Sequence, residues 1–114
     1  MGIKATILLA GLTVLLLAPL PAYAQRTTYQ RIAQCTRFAT VQFSRHDPAF
    51  KRFVIDRVTV QDDKFADRVG NQFVSSIYHG KATYEGGAGP KKVRFICLHA
   101  GIGKGPVFVY ALPE

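Results

Sequence analysis

The chain has 114 residues, with 15 Lys and Arg against 7 Asp and Glu, a net charge of +8 at pH 7. That length holds one domain with a modest core and leaves no room for a multidomain enzyme. Two cysteines and no tryptophan exclude a multiply bridged scaffold and a cysteine-rich zinc module, and the positive excess leaves two readings open, an anionic partner or charge that simply keeps a small domain soluble.

Residues 1–24 have the layout of a secretory signal peptide. Lys4 charges a short leading region, residues 5–18 are apolar, and Ala22-Tyr23-Ala24 puts small residues where a signal peptidase reads. The run is about 14 residues, short of the about 20 that span a bilayer. Pro19 and Pro21 are expected to break any helix here. The expected mature chain starts at Gln25, has 90 residues and lacks Lys4, so 14 basic residues face 7 acidic ones, net +7. Its expected location is periplasmic or secreted.

The elements follow in chain order. Residues 28–45 have helical periodicity, with Tyr29, Ile32, Ala33, Thr36, Ala39 and Phe43 on one face and Cys35 at its edge. Phe38 and Val41 fall on the far side. Asp47-Pro48 ends the helix, because the residue before a proline avoids helical backbone. Residues 53–61 are rich in β-branched side chains and are predicted as a strand. Residues 62–71 are polar and are predicted as a turn. Strands are predicted at 73–84, 93–99 and 107–112, separated by glycine-rich hairpin loops at 85–90 and 100–105. One N-terminal helix on a four-stranded antiparallel meander is an α+β fold, and residues 25–114 form one domain.

An exported chain meets an oxidising compartment, so two distant cysteines pair: Cys35 with Cys97. A metal site wants more ligands near either one, and a reactive thiol wants an exposed setting with a base. The bridge ties helix to sheet, so Cys97 points at the helix. Val93, Phe95 and Cys97 then face in, and Lys92, Arg94, Ile96 and Leu98 face out. Placing Tyr84 opposite Lys91 sets Ala82 on Val93, Gly80 on Phe95 and Tyr78 on Cys97, with Gly80 leaving room for the Phe95 ring. On the last strand Phe108 and Tyr110 are expected inside, and Val107, Val109 and Ala111 outside.

The outer face is then not polar. Ile77, Ile96, Leu98, Val107 and Val109 share it with Lys81, Lys92 and Arg94. Three readings stay open: a contact surface, a different register, or cover by residues 62–71. Residues Lys81, Lys92, Arg94, Ile96, Leu98, Val107 and Val109 are the candidate binding residues.

No catalytic set assembles. Gly101 to Gly105, GIGKG, lacks the upstream glycine and the Ser or Thr of a phosphate loop, and it precedes a strand. His46, His79 and His99 have no ligand spacing, and His79 and His99 are expected at the surface or at strand ends. Asp62, Asp63 and Asp67 sit beside Lys64 and Arg68 and read as solvated. No cofactor and no metal are expected.

Gly80-Lys81-Ala82-Thr83-Tyr84, Arg94-Phe95-Ile96-Cys97 and the turn and strand from Gly105 to Tyr110 follow a helix with one cysteine. In these pieces the chain resembles small exported bacterial proteins of unknown function. The resemblance implies export and a helix-on-sheet fold, and no activity. The expected function is a non-enzymatic binding module. Its partner is an anionic envelope polymer, a lipid head group or a protein, with a homodimer through the outer face also open and no nucleic acid. The alternative is a small enzyme inhibitor or hydrolase working through loops 85–90 and 100–105, marked by a pocket with His79 or His99 and a carboxylate.

Overall fold

A computed structural model describes residues 20–101 and 103–114, with side chains from residue 28 onward. Residues 1–30 group as one unit and Arg31–Glu114 as another. In the first, the described backbone is helical from Leu20. Pro21 therefore lies inside a helix that it was expected to break. A first turn tolerates proline, because the N–H it lacks has no partner within the helix there. The apolar run of the expected signal peptide lies outside the described residues. Among the described residues no helix is long and apolar enough to cross a membrane.

The helix, α1 (Leu20–His46), continues into the second unit. Its buried seam there is Ile32, Cys35 and Ala39, spaced three and four apart, with Phe38 and Phe43 packed beside it. The seam is turned from the expected face. Cys35 lies at its centre and Phe38 joins the core, while Val41 is exposed. The cause is the bridge, which brings position 35 onto the sheet. Thr36, expected inside, donates to the Ile32 carbonyl at 3.1 Å, so its hydroxyl needs no core partner. The helix ends as expected. Asp47 N–H closes the last turn on the Phe43 carbonyl, and the Asp47 carboxylate accepts from Ala49 N–H at 3.0 Å and from the Tyr84 hydroxyl at 2.5 Å.

The sheet has five antiparallel strands: β1 (Arg52–Ile55), β2 (Gln61–Val69), β3 (Gln72–Gly86), β4 (Gly89–His99) and β5 (Pro106–Pro113). Their order is β1-β3-β4-β5, and β2 also pairs with β3. Five strands replace the expected four because residues 53–61 are not one strand. After Ile55 the chain leaves the ladder in a 3₁₀ turn, Arg57–Thr59. Residues 62–69, expected as a turn, form the body of β2, whose nine residues are all exposed. Gly70 at φ 63 and Asn71 turn the chain into β3, with Val69 opposite Gln72.

The β3–β4 register is the expected one: Tyr84 faces Lys91, Ala82 faces Val93, Gly80 faces Phe95 and Tyr78 faces Cys97. Tyr78, Ala82, Val93, Phe95 and Cys97 are buried against α1. Cys97 is bonded to Cys35, with the two Cα atoms 6.1 Å apart. Gly80 has a different reason from the expected one. A Cβ there would lie 2.9 Å from both the carbonyl oxygen and the hydroxyl of Thr59. The glycine makes room for the 3₁₀ turn, whose Thr59 hydroxyl accepts from Lys81 N–H at 2.9 Å.

β5 has the opposite phase from the expected one. Cys97 faces Val109, Ile96 faces Tyr110 and Leu98 faces Phe108. Val109 is fully buried, while Phe108 and Tyr110 are 44% and 49% exposed. Ala111 likewise packs on the core. The Val109 main chain meets α1 on its other side. Gln42 donates from Nε2 to the Val109 carbonyl at 2.6 Å and accepts the Val109 N–H at 3.2 Å.

Candidate binding site on the outer sheet face

Alternation on β3, β4 and β5 builds the outer face as cross-strand rows. Ile77, Leu98 and Phe108 form one row, and His79, Ile96 and Tyr110 form the next. Lys81, Arg94 and Leu112 follow, and Thr83 with Lys92 comes last. The face is therefore divided along the strands, with apolar and aromatic side chains toward one end and cations toward the other.

A hollow of about 370 Å³ opens on the middle rows, lined by Thr59, Gln61, His79, Lys81, Arg94, Ile96 and Leu112 among others. That is within the usual range for a small-ligand site. Thr59 and Gln61 come from the turn and the start of β2, where the chain rejoins the edge of β3. A second hollow, about 280 Å³, shares Lys81 and includes Asp56, Thr83, Lys92 and Glu114.

The electrostatics favour an anion. Lys81 has one loose partner, Glu114, at 3.7 Å, and among the described residues Lys92 and Arg94 have no carboxylate partner. His79 Nε2 lies 2.7 Å from Asp63 Oδ2, so that carboxylate is already engaged.

Of the sequence-derived candidates, Lys81, Lys92 and Arg94 are exposed on this face, with Ile96 and Leu98 half-buried among them. Val107 is half-buried beside the irregularity that separates the Leu98–Phe108 and His99–Pro106 pairs. Val109 is not on this face at all, since it lies in the core. In its place stand Phe108, Tyr110 and Leu112, which were expected inside or left unplaced. Of residues 62–71, expected in one open reading to cover the face, Asp63 reaches its margin by pairing with His79.

His99 stands at the end of β4, one of the two places expected for it, but it is buried, 1% exposed, rather than a surface side chain. Gly101 N–H donates to its Nδ1 at 3.0 Å, so Nε2 carries the proton and donates to Gln34 Oε1 at 2.8 Å. Burial, and then the Arg31 charge, hold its pKa below the ordinary 6.5, against a smaller opposing pull from Asp62. The ring packs edge-on to Tyr78, whose hydroxyl accepts from Arg31 at 2.7 Å. This cluster is fully partnered and reads as core. Where a phosphate-loop reading fails, Gly101, Gly103 and Gly105 have positive φ. Among the described residues no three His, Cys, Asp or Glu side chains converge as a metal would require. Comparison of the chain with protein-family models, with curated proteins and with solved structures finds no match.

Proposed function

We propose that this chain is a non-enzymatic binding module of an exported compartment, periplasmic or secreted, whose outer sheet face takes an anionic component of the cell envelope. The disulfide supports the compartment, because such bridges persist where the surroundings are oxidising. One observation carries the ligand class: Lys81, Lys92 and Arg94 occupy adjacent rows around the two hollows, with a single loose carboxylate contact among them.

The test is retention of the oxidised protein on vesicles containing phosphatidylglycerol and on immobilised polyphosphate, at low and at physiological salt. Reversing Lys92 and Arg94 to glutamate should weaken retention by roughly tenfold or more, the scale of a lost charge-assisted contact. Reversing Arg37 and Arg45 on α1 changes net charge equally and should weaken it far less. Equal losses from the two pairs would reduce the effect to bulk charge and overturn the assignment.

One observation favours a second reading, a small hydrolase. His79, held by Asp63 at 2.7 Å, lines the larger hollow, and a histidine oriented by a carboxylate is the usual general base. The hollow supplies no free nucleophile, because the Thr59 hydroxyl donates to the Asp56 carbonyl and accepts from Lys81 N–H. Water would have to attack. Turnover of a small ester or phosphoester panel that vanishes in His79→Ala would establish this reading over the first.

A further inference from the structure

The larger hollow has two chemically different sides. Lys81 and Arg94 stand directly opposite each other across β3 and β4. Ile96 and Leu112 form the apolar lining beside them. From Ile96 the apolar surface continues to Tyr110 on β5 and on to Leu98 and Phe108 in the next row. Tyr110 and Phe108 are half exposed, with rings 6.1 Å apart. From the Lys81–Arg94 row to the Leu98 row is four residues along β4, about 13 Å at the ordinary rise of a strand.

A small inorganic anion would use only the cationic end of this surface. A long polyanion would want cations spread along a track, whereas here they are gathered in two adjacent rows and the track ahead is apolar. An uncharged oil would leave Arg94 without a charged partner and Lys81 with only its loose contact to Glu114. We propose that the hollow binds a single-chain anionic amphiphile. Its carboxylate or phosphate head lies between Lys81 and Arg94, and its chain runs over Ile96 toward Tyr110 and Leu98. The proposal rests on the outer-face reading above and names the ligand class for it. The charge pattern supplies the complementarity: head against two cations, methylenes against a half-exposed apolar strip.

Isothermal titration of the oxidised protein tests this. The probes are octanoate, decanoate, dodecanoate and dodecyl phosphate below their micelle concentrations, with inorganic phosphate and an uncharged dodecyl glycoside as controls. Affinity should climb with chain length, by up to about fourfold for each methylene that is fully buried, and should exceed that of both controls by roughly tenfold or more. Arg94→Glu should lower the whole series and keep its slope. Leu112→Ser with Ile96→Ser should flatten the slope and keep the head-group contribution. These side chains point away from the core, and circular dichroism checks that each variant is folded. A series independent of chain length, inorganic phosphate bound as tightly as dodecyl phosphate, or affinities untouched by either variant would overturn the proposal. If vesicle and polyphosphate retention survive such a result, the amphiphile falls and the anion-binding face stands. If retention is absent as well, both fall.

Discussion

His99 shows how one ring can be committed to a single protonation state. Its Nδ1 accepts a backbone N–H and its Nε2–H donates to Gln34. A second proton would set N–H against N–H in a buried site. The folded-state pKa therefore lies below the unfolded value of about 6.5. Between the two values the unfolded chain binds more protons, so stability rises with pH across that window. The contribution is complete above pH about 6.5 and is lost as pH falls toward the folded pKa. Urea midpoints should drop on acidification below that point, and His99→Gln, which cannot take up the proton, should remove that part of the slope. Gly80 is committed by space rather than by charge. Gly80→Ala would put a methyl 2.9 Å from the Thr59 carbonyl, which is backbone and cannot swing aside. A loss of about 1–3 kcal/mol is expected from equilibrium unfolding, together with weaker ligand binding, since Gly80 and Thr59 both border the larger hollow.

Between elements, the bridge from α1 to β4 has the largest expected effect. It closes a separation of 62 residues, which the chain-entropy account values at roughly 4 kcal/mol. Cys35→Ser with Cys97→Ser should lower unfolding free energy by about that amount, and reductant should do the same to the parent chain but not to the variant. β2 is the opposite case. It has no buried residue and among the described residues pairs only with β3, so hydrogen exchange should be fast along β2 and slow along β4. These two strands also mark what was legible in the sequence. In β4 apolar inward residues alternate with Lys92 and Arg94, so one cysteine set the phase, and the β3 register followed from the glycine turn. β2 has no apolar side to bury and hence no alternation to see, although Gly70-Asn71 between two extended runs is a hairpin signal. In β5 every residue from Val107 to Leu112 is apolar, so neither phase stands out. The site shares this divide. Lys81, Lys92, Arg94 and Ile96 were legible because they lie out of phase with Cys97. Asp63, Gln61 and Thr59 were not, because they reach the face only through the turn and strand that the sequence disguises.

On the scale of the whole molecule, α1 and the sheet divide the work. The helix side is closed by Ile32, Cys35, Ala39 and the aromatic group of Phe43, Phe50, Phe53 and Tyr84. Burial and the Asp47 carboxylate push the Tyr84 hydroxyl up to about 12, so this side carries no titration near neutrality from that group. The other side of the sheet is left to the cations and the exposed aromatics. Gln42→Leu tests how the two are kept apart. It should leave the Val109 N–H and C=O unsatisfied, cost about 1–3 kcal/mol, and shift the protein toward dimers in sedimentation as the bare strand flank finds another chain. A primary amide carries the same donor and acceptor as a peptide group, so Gln42 fills the middle rung of the ladder as an extra strand would. A partner peptide arriving sideways at β5 meets a seat already taken there, so the middle of that rim is closed to strand addition.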